Sequence, residues 1–167
     1  HYHLGVIYMN NMSLIFVCTS NVCRSPVAAA LANKWLQDNG RSGEFTIISR
    51  SLTTDYEPEH SPASEHSLNI IKNDFGIDIS DHRSKLLTED DVRNAHIIVG
   101  ITESHCGYIT RTYSHLGASK KCVSMPRDVP DPWHADYKTY HRCVHFMNDL
   151  MPELFGLIDS TIDKTDL

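Results

Sequence analysis

The chain has 167 residues, a net charge of −6 and five cysteines. This length is typical of a single domain whose core needs no disulfide support. The acidic charge argues against nucleic-acid and anionic-membrane partners, because both require a positively charged surface. The cysteines are odd in number and lack paired spacing, which indicates a reducing cytoplasm rather than a secreted protein. We expect no membrane-spanning segment, and the eleven histidines are too dispersed to indicate a metal site.

Residues 1–11 are interpreted as a tag-like or disordered extension, and residues 12–167 as one domain. Within this domain, strand-like runs alternate with helical ones, which predicts an α/β fold with a parallel sheet covered on both faces. The four predicted strands span residues 14–17, 45–49, 95–99 and 122–125.

Five helices are predicted from their cap residues and apolar periodicity. They span residues 27–37, 62–76 and 102–113, with a short one after Thr88 and a long terminal one after Asp136. Ser61 is expected to cap the second helix, because proline, here Pro62, is favoured in a first helical turn.

The Cys18 loop, residues 18–25, combines a thiol, a guanidinium and a hydroxyl directly after the first strand. In a parallel sheet such a loop lies at the ligand-binding edge, where the N–H groups of the next helix point outward. We expect its amides to face one centre and to form a nest for an oxyanion, which Arg24 closes with a planar fork. The residues expected to bind this anion are Thr19, Ser20, Asn21, Val22, Cys23, Arg24 and Ser25.

Cys18 ends the first strand and is the expected nucleophile of this nest. The helix N-terminus and Arg24 favour the thiolate form of its side chain, which is the reactive form. Ser25 is expected to donate a hydrogen bond to that thiolate. In the alternative interpretation, Cys18 and Cys23 are buried apolar residues and Arg24 is a solvated helix-start residue. A zinc site is disfavoured, because no second cysteine or histidine pair lies nearby at ligand spacing.

Residues 17–26, VCTSNVCRSP, closely resemble the phosphate-binding loop of the low-molecular-weight protein tyrosine phosphatases, and the Asp-Pro pair at Asp131 resembles the acid loop of that family. The resemblance extends from the first strand to the terminal helix. It implies a four-stranded, parallel, twisted sheet with helices on both faces, and no metal or cofactor. It also implies that Cys18 is the nucleophile and Arg24 the phosphate clamp. Ser25 is then the thiolate partner and Asp131 the general acid.

Three further positions match supporting residues of the family. Asn21 matches the asparagine that holds the loop in its strained turn, and His82 lies where the family braces the loop. Ser49 is assigned to the same network. For His82, the alternative is an ordinary surface histidine.

Tyr56 and Trp133 lie where the family places the aromatic walls of its pocket, although each also fits ordinary packing. Val22 favours phosphotyrosine, because family members that act on phosphoarginine have threonine there. Taken alone, Asp131 fits a turn-forming aspartate between two prolines. Asp128 is the alternative acid if the register of the loop is shifted.

Three departures from the family pattern affect the surroundings of the loop rather than its catalytic groups. Ser20 stands where the family usually has glycine, a residue suited to positive φ, so we expect local strain there. The usual SAGT after the second strand reads SRSL in residues 49–52, and Thr102 replaces an acidic residue.

The resemblance implies a protein tyrosine phosphatase that hydrolyses phosphotyrosine monoesters through a phosphocysteine intermediate. Its substrates would be phosphotyrosine proteins or small aryl phosphates, and its product inorganic phosphate. Two alternatives are a phosphotyrosine-binding module with weak turnover and a thiol-dependent arsenate reductase. The reductase needs a cysteine relay after the third strand, where Cys106 stands alone and Cys122 follows sixteen positions later. Cys18 and Cys23 are also spaced to form a reversible disulfide under peroxide.

Overall fold

The computed structural model describes residues 11–165, which form four strands and five α-helices. The strands are β1 (Met12–Cys18), β2 (Phe45–Ser51), β3 (Ile97–Gly100) and β4 (Cys122–Ser124). The helices are α1 (Ser25–Asp38), α2 (Glu65–Phe75), α3 (Glu89–Asn94), α4 (Glu103–Thr112) and α5 (Tyr137–Thr165). Two 3-10 turns, Ser114–Leu116 and Ala118–Lys120, connect α4 to β4. The predicted α/β architecture is confirmed.

All strand pairs are parallel, and the strands lie in the order β2-β1-β3-β4. Cys18 lies beside Ser51, Val17 beside Gly100, and Gly100 beside Ser124. The carboxyl ends of the strands therefore meet along one edge, and the Cys18 loop leaves the sheet at the middle of that edge.

The central strand β1 is buried on both faces because helices cover each side of the sheet. Phe16 and Cys18 belong to the core that includes side chains of α1, α2 and α5. Ile15 and Val17 point to the other face, into a smaller core that includes side chains of α3 and α4. This alternation explains why β1 is one continuous apolar run in the sequence.

The start of α2 differs from the prediction. Ser61 does not cap this helix, because its N–H donates to the Ser84 hydroxyl at 3.0 Å and its carbonyl accepts from the Ser84 N–H at 2.8 Å. Proline also disfavours a helical conformation in the residue before it. The chain therefore stays extended past Pro62, and α2 begins at Glu65 with Ser64 as its N-cap.

The last helix begins as predicted, since Asp136 Oδ1 accepts a hydrogen bond from the Thr139 N–H at 3.0 Å. The helix continues through Pro152. Within residues 11–165, no helix is long and apolar enough to cross a lipid bilayer.

The predicted N-terminal extension lies outside the described residues except for Asn11. The N–H of Asn11 donates to the Gly43 carbonyl at 2.9 Å. This residue is therefore bonded to the turn that precedes β2.

Candidate active site

The Cys18 loop connects β1 directly to α1 and is held from outside by hydrogen bonds to its carbonyl groups. The N–H of Leu52 donates to the Cys18 carbonyl at 3.0 Å. At the start of α2, the Ser64 N–H donates to the Val22 carbonyl at 2.9 Å. The Ser67 hydroxyl donates to the Cys23 carbonyl at 3.1 Å. With these carbonyls engaged outside, the N–H groups of the loop are left for an anion at its centre.

The Cys18 sulfur lies at the base of the loop and is almost fully buried, with 2% of the residue exposed. The Asn21 N–H donates to this sulfur at 3.3 Å. The Ser25 hydroxyl lies 3.1 Å from it. Two hydrogen-bonding groups thus converge on the Cys18 sulfur.

Asn21 connects the loop to its supports. Its backbone adopts a φ of +62°, in the left-handed region. Its Nδ2 donates to Ser25 Oγ at 2.7 Å and to Ser49 Oγ at 2.9 Å, while its Oδ1 accepts from the Lys85 N–H at 3.1 Å. His82 Nε2 lies 2.8 Å from the Asn21 carbonyl and donates to it. Burial lowers the pKa of His82, so the brace is a neutral imidazole.

The strain expected at Ser20 does not occur. Among residues 11–165, the non-glycine positions with positive φ include Asn21 but not Ser20. The left-handed turn of the loop therefore falls on Asn21, whose short amide side chain suits that conformation. Serine at position 20 is accommodated without backbone strain of this kind.

Arg24 is buried at the mouth of the loop. Its Nη1 donates to the Val129 carbonyl at 2.9 Å, which orients the guanidinium. Its Nη2 lies 3.7 Å from Asp131 Oδ2. Its Nε is the one buried side-chain nitrogen or oxygen among the described residues that has no hydrogen-bond partner. A buried donor left unpaired is costly unless a ligand satisfies it, so this nitrogen indicates an anion site.

The two candidate acids, Asp131 and Asp128, have different hydrogen-bond partners. Asp131 lines the cavity above Cys18, and its Oδ1 accepts from the Trp133 N–H at 3.1 Å. Asp128 instead accepts from the Glu103 N–H at 2.8 Å, at the start of α4. Asp128 therefore helps to cap a helix, and Asp131 is the carboxylate that faces the loop.

The cavity above the loop has a volume of about 310 Å³. Besides residues 18–24, it is lined by Tyr56, Asp131 and Trp133. The Tyr56 and Trp133 rings meet edge to face at 5.6 Å, and the two residues are 57% and 39% exposed. They form an aromatic rim beside the cavity, against which a flat aromatic group could pack.

A second, larger groove of about 770 Å³ lies between α1, β2 and the segment that follows α2. It is not lined by Cys18, Arg24 or Asp131. The smaller cavity is therefore the candidate active site, because the chemically distinctive groups meet there.

Sequence reasoning missed His105. Its Nδ1 accepts from the Thr102 N–H at 3.2 Å, so its Nε2 carries the hydrogen and donates to Thr19 Oγ1 at 3.0 Å. Burial, and then the nearby charge of Arg24, lower the pKa of His105 to about 4. In the sequence, Thr102 stood out only because it replaces an acidic residue of the family. The pairing of Thr102 with His105 in a capping box is the pattern that could have indicated this histidine.

The fold also pairs cysteines that are distant in sequence. Cys106 Sγ and Cys122 Sγ lie 2.9 Å apart. Cys106 therefore has a cysteine neighbour in space, contrary to the expectation that it stands alone. Cys122 packs against the smaller core, whereas Cys18 belongs to the core on the opposite face of the sheet. Cys23 has a different partner, the Tyr140 hydroxyl at 3.2 Å. Burial raises the pKa of Cys23, so it is held as a thiol.

The parallel sheet, the anion nest at its carboxyl edge and the buried cysteine define a class of cysteine-dependent phosphatases. Residues 13–165 match the sequence pattern of the family described as low molecular weight phosphotyrosine protein phosphatase. The chain belongs to this family. It is accordingly a phosphatase of the low molecular weight class, whose members act on phosphotyrosine substrates.

Individual relatives agree with this assignment. The chain is 27% identical over 147 residues to the low molecular weight protein-tyrosine-phosphatase PtpB of Staphylococcus epidermidis, covering 86% of this chain and 96% of the relative. It is 27% identical over 158 residues to a protein-arginine-phosphatase of Geobacillus stearothermophilus, covering 90% and 94%. The crystal structure of a low molecular weight protein tyrosine phosphatase from T. tengcongensis superposes with a TM-score of 0.77, at 30% identity and with 87% and 99% covered.

Proposed function

We propose that Cys18, Arg24 and Asp131 perform the phosphatase reaction of this protein and that its substrates are phosphotyrosine proteins or small aryl phosphates. The observation that supports this most directly is the state of Arg24. It lines the cavity above Cys18 and keeps a buried Nε with no hydrogen-bond partner. A phosphoryl group on the loop would provide the acceptor oxygens for that nitrogen and for the loop amides.

In the first half of the reaction, the Cys18 thiolate attacks phosphorus in line with the departing oxygen. The S–P bond forms as the P–O bond breaks, while Arg24 and the loop N–H groups hold the equatorial oxygens. Asp131 in its acid form gives its proton to the leaving phenol oxygen. The products are the free tyrosine side chain and a phosphocysteine.

In the second half, the Asp131 carboxylate takes a proton from water. The resulting hydroxide attacks phosphorus, the S–P bond breaks, and the Cys18 sulfur leaves as a thiolate. The Ser25 hydroxyl, 3.1 Å from that sulfur, stabilises the charge that returns to it. Inorganic phosphate is released, and no cofactor or metal takes part in the proposed cycle.

A second candidate substrate is phosphoarginine, because one relative is a protein-arginine-phosphatase. Tyrosine is favoured by Val22, since the arginine-specific members have threonine at this position. The Tyr56 and Trp133 rings at the rim of the cavity also offer an apolar surface against which a phenyl ring could pack. A direct comparison of kcat/KM on phosphotyrosine and phosphoarginine peptides tests this preference, and Val22→Thr should shift it toward phosphoarginine.

The catalytic assignment is tested with para-nitrophenyl phosphate. We expect turnover by the wild type, none by Cys18→Ser, and a loss of about 10²-fold or more in kcat/KM for Arg24→Lys, because lysine cannot supply a planar fork. Arg127→Lys, an exposed arginine-to-lysine change near the acid loop, is the matched control and should have wild-type rates. Slow or absent turnover by the wild type would instead support the binding-module alternative.

The proposed setting is a reducing cytoplasm, without nucleic-acid or membrane partners. All five cysteines are free thiols, and a thiol nucleophile stays active where disulfides are kept reduced. The net charge of −6 supports the absence of polyanionic partners. The arsenate reductase alternative is less well supported, because Cys122 packs on the face of the sheet opposite Cys18.

A further inference from the structure

Two helices bring together three metal-ligating side chains far from the Cys18 loop in sequence. Asp74 lies near the end of α2, while His141 and His145 lie one turn apart on α5. Asp74 Oδ2 is 2.8 Å from His145 Nε2 and 3.1 Å from His141 Nε2. Both imidazoles thus point at the same carboxylate oxygen, although the sequence indicated no metal site.

The spacing of these atoms is close to that of a zinc coordination shell. Ligand atoms bound at about 2.0–2.1 Å in a tetrahedron lie roughly 3.3 Å from one another. All three ligand atoms of the cluster lie within 4.8 Å of one another. A shift of a few tenths of an ångström in each side chain would open the centre for an ion, with water completing the shell.

The rings are positioned by their neighbours rather than hanging free in solvent. The two imidazole rings lie 4.3 Å apart, and the His145 ring contacts Phe75 at 5.1 Å between centroids. Side chains of His141 and His145 are 44% and 40% exposed, so an ion could reach them. Oriented imidazoles lose little freedom on binding a metal.

The surroundings are acidic and favour a cation. Asp149, one turn after His145 on α5, lines the same groove as Asp74, and so do Asp38 and Lys34, so that three carboxylates outnumber one ammonium group there. Imidazole and carboxylate together are typical ligands of Zn²⁺ and of similar divalent transition metals.

We propose that Asp74, His141 and His145 form a binding site for a divalent transition-metal ion of the zinc type. The ion would take the place of the hydrogens between the two Nε2 atoms and Oδ2. A neutral imidazole would then carry its hydrogen on Nδ1, and a protonated imidazole would release one proton to water. The ion would join α2 to α5 and stabilise the folded state by mass action.

Asp74 lies about two to three helical turns from Ser67 and Ser64, through which α2 contacts the Cys18 loop. Tyr140, next to His141, contacts Cys23 of that loop at 3.2 Å, but none of the three ligands lines the cavity above Cys18. We therefore expect the ion to act mainly on stability.

The test uses Zn²⁺ alone as the probe, measured by calorimetric titration and by thermal unfolding. The wild type should bind one equivalent more than the double variant His141→Ala with His145→Ala, and its Tm should rise with zinc while that of the variant does not. Asp74→Asn should weaken this site about tenfold or more. His115→Ala is the matched control, because His115 is an exposed histidine paired with Glu89 on another part of the surface.

Thiols also bind zinc, so Co²⁺ is used as a spectroscopic substitute. The Co²⁺ ion that binds to the wild type but not to the double variant should show the visible absorption bands of nitrogen and oxygen ligands. It should lack the charge-transfer absorption of thiolate ligands. Histidines elsewhere in the chain are the same in the wild type and the double variant, so they cancel in the difference between these two proteins. His145→Gln, with far-UV circular dichroism, checks that the fold survives. Equal zinc binding and equal Tm shifts in the wild type and the folded variants would overturn the proposal, as would a signal from thiolate ligands alone.

Discussion

The side-chain amide of Asn21 donates to the Ser25 hydroxyl oxygen at 2.7 Å. The same oxygen lies 3.1 Å from the Cys18 sulfur. Asn21 also donates its backbone N–H to the same sulfur at 3.3 Å. One residue in a left-handed conformation thus positions both groups that contact the Cys18 sulfur.

The first prediction concerns Asn21. Asn21→Gly keeps the left-handed backbone but removes the amide, and we expect kcat to fall about tenfold to hundredfold with less change in KM. Asn21→Ala should have the same defect and a further loss of about 1–2 kcal/mol in the free energy of unfolding, because alanine is strained at positive φ. Steady-state kinetics and urea denaturation measure the two effects. Asn73→Ala, on the exposed face of α2, is the control, and unchanged kcat in Asn21→Gly would contradict this role.

The second prediction separates the two aspartates of the acid loop. Asp131→Asn should lower kcat about 10²- to 10³-fold on phenyl phosphates with poor leaving groups, and much less on those that leave without a proton. Asp128→Asn removes a negative charge beside the start of α4 instead, and should change stability slightly with little dependence on the leaving group. A series of aryl phosphates with different phenol pKa values measures this dependence. The assignment is wrong if Asp128→Asn, and not Asp131→Asn, changes the slope of log kcat against the pKa of the leaving phenol.

The third prediction concerns recovery from oxidation. Peroxide should oxidise the Cys18 thiolate to a sulfenic acid with release of hydroxide, and the Cys23 thiol should then displace the sulfenic oxygen as water to form a disulfide. The wild type should regain activity with dithiothreitol after excess peroxide, whereas Cys23→Ser should not. Cys143→Ser is the control, because Cys143 is another buried cysteine of the same core. Full recovery of Cys23→Ser would exclude this disulfide.

The fourth prediction concerns the Cys106 thiol. Its hydrogen bond with Cys122 lowers the pKa of Cys106 to about 7. Alkylation of Cys106 by iodoacetamide should therefore rise through neutral pH, since the thiolate is the reactive form. In Cys122→Val, the pKa should return toward about 8.5, and the midpoint of labelling should move up with it. Mass spectrometry of peptides labelled over a pH series gives both midpoints, and identical midpoints would refute the effect of Cys122.

The fifth prediction concerns stability at acidic pH. The folded-state pKa of His105 is about 4, below the value of about 6.5 expected in the unfolded chain. As the pH falls, His105 is therefore protonated in the unfolded state before it is protonated in the folded state. Its contribution to stability is complete above pH 6.5 and is lost as the pH falls toward 4. The slope reaches at most about 1.4 kcal/mol per pH unit. His105→Gln should flatten the wild-type curve in urea denaturation between pH 7 and 4.5, and parallel curves would contradict the assignment.

Much of the fold follows from local sequence. The apolar runs predict four strands, and the Cys18 loop could be assigned to the carboxyl end of the first strand, because strand periodicity and loop chemistry are encoded by neighbouring residues. The predicted start of α2 was wrong because Ser61 is held by hydrogen bonds with Ser84, which lies more than twenty positions away in the sequence. The position of strain was also wrong, because the backbone angles at Ser20 and Asn21 depend on contacts with Ser49, His82 and Lys85.

The amino-acid sequence by itself determined the chemistry of the Cys18 loop, since its thiol, amides, guanidinium and hydroxyl lie within eight consecutive residues. Tertiary structure decided which distant groups face that loop and which cysteines and histidines become neighbours. Asp131 rather than Asp128 faces Cys18, His105 reaches Thr19, and Asp74 meets two histidines of α5. These pairings depend on how helices pack across the sheet, and contacts between residues remote in sequence leave no fixed spacing to be recognised.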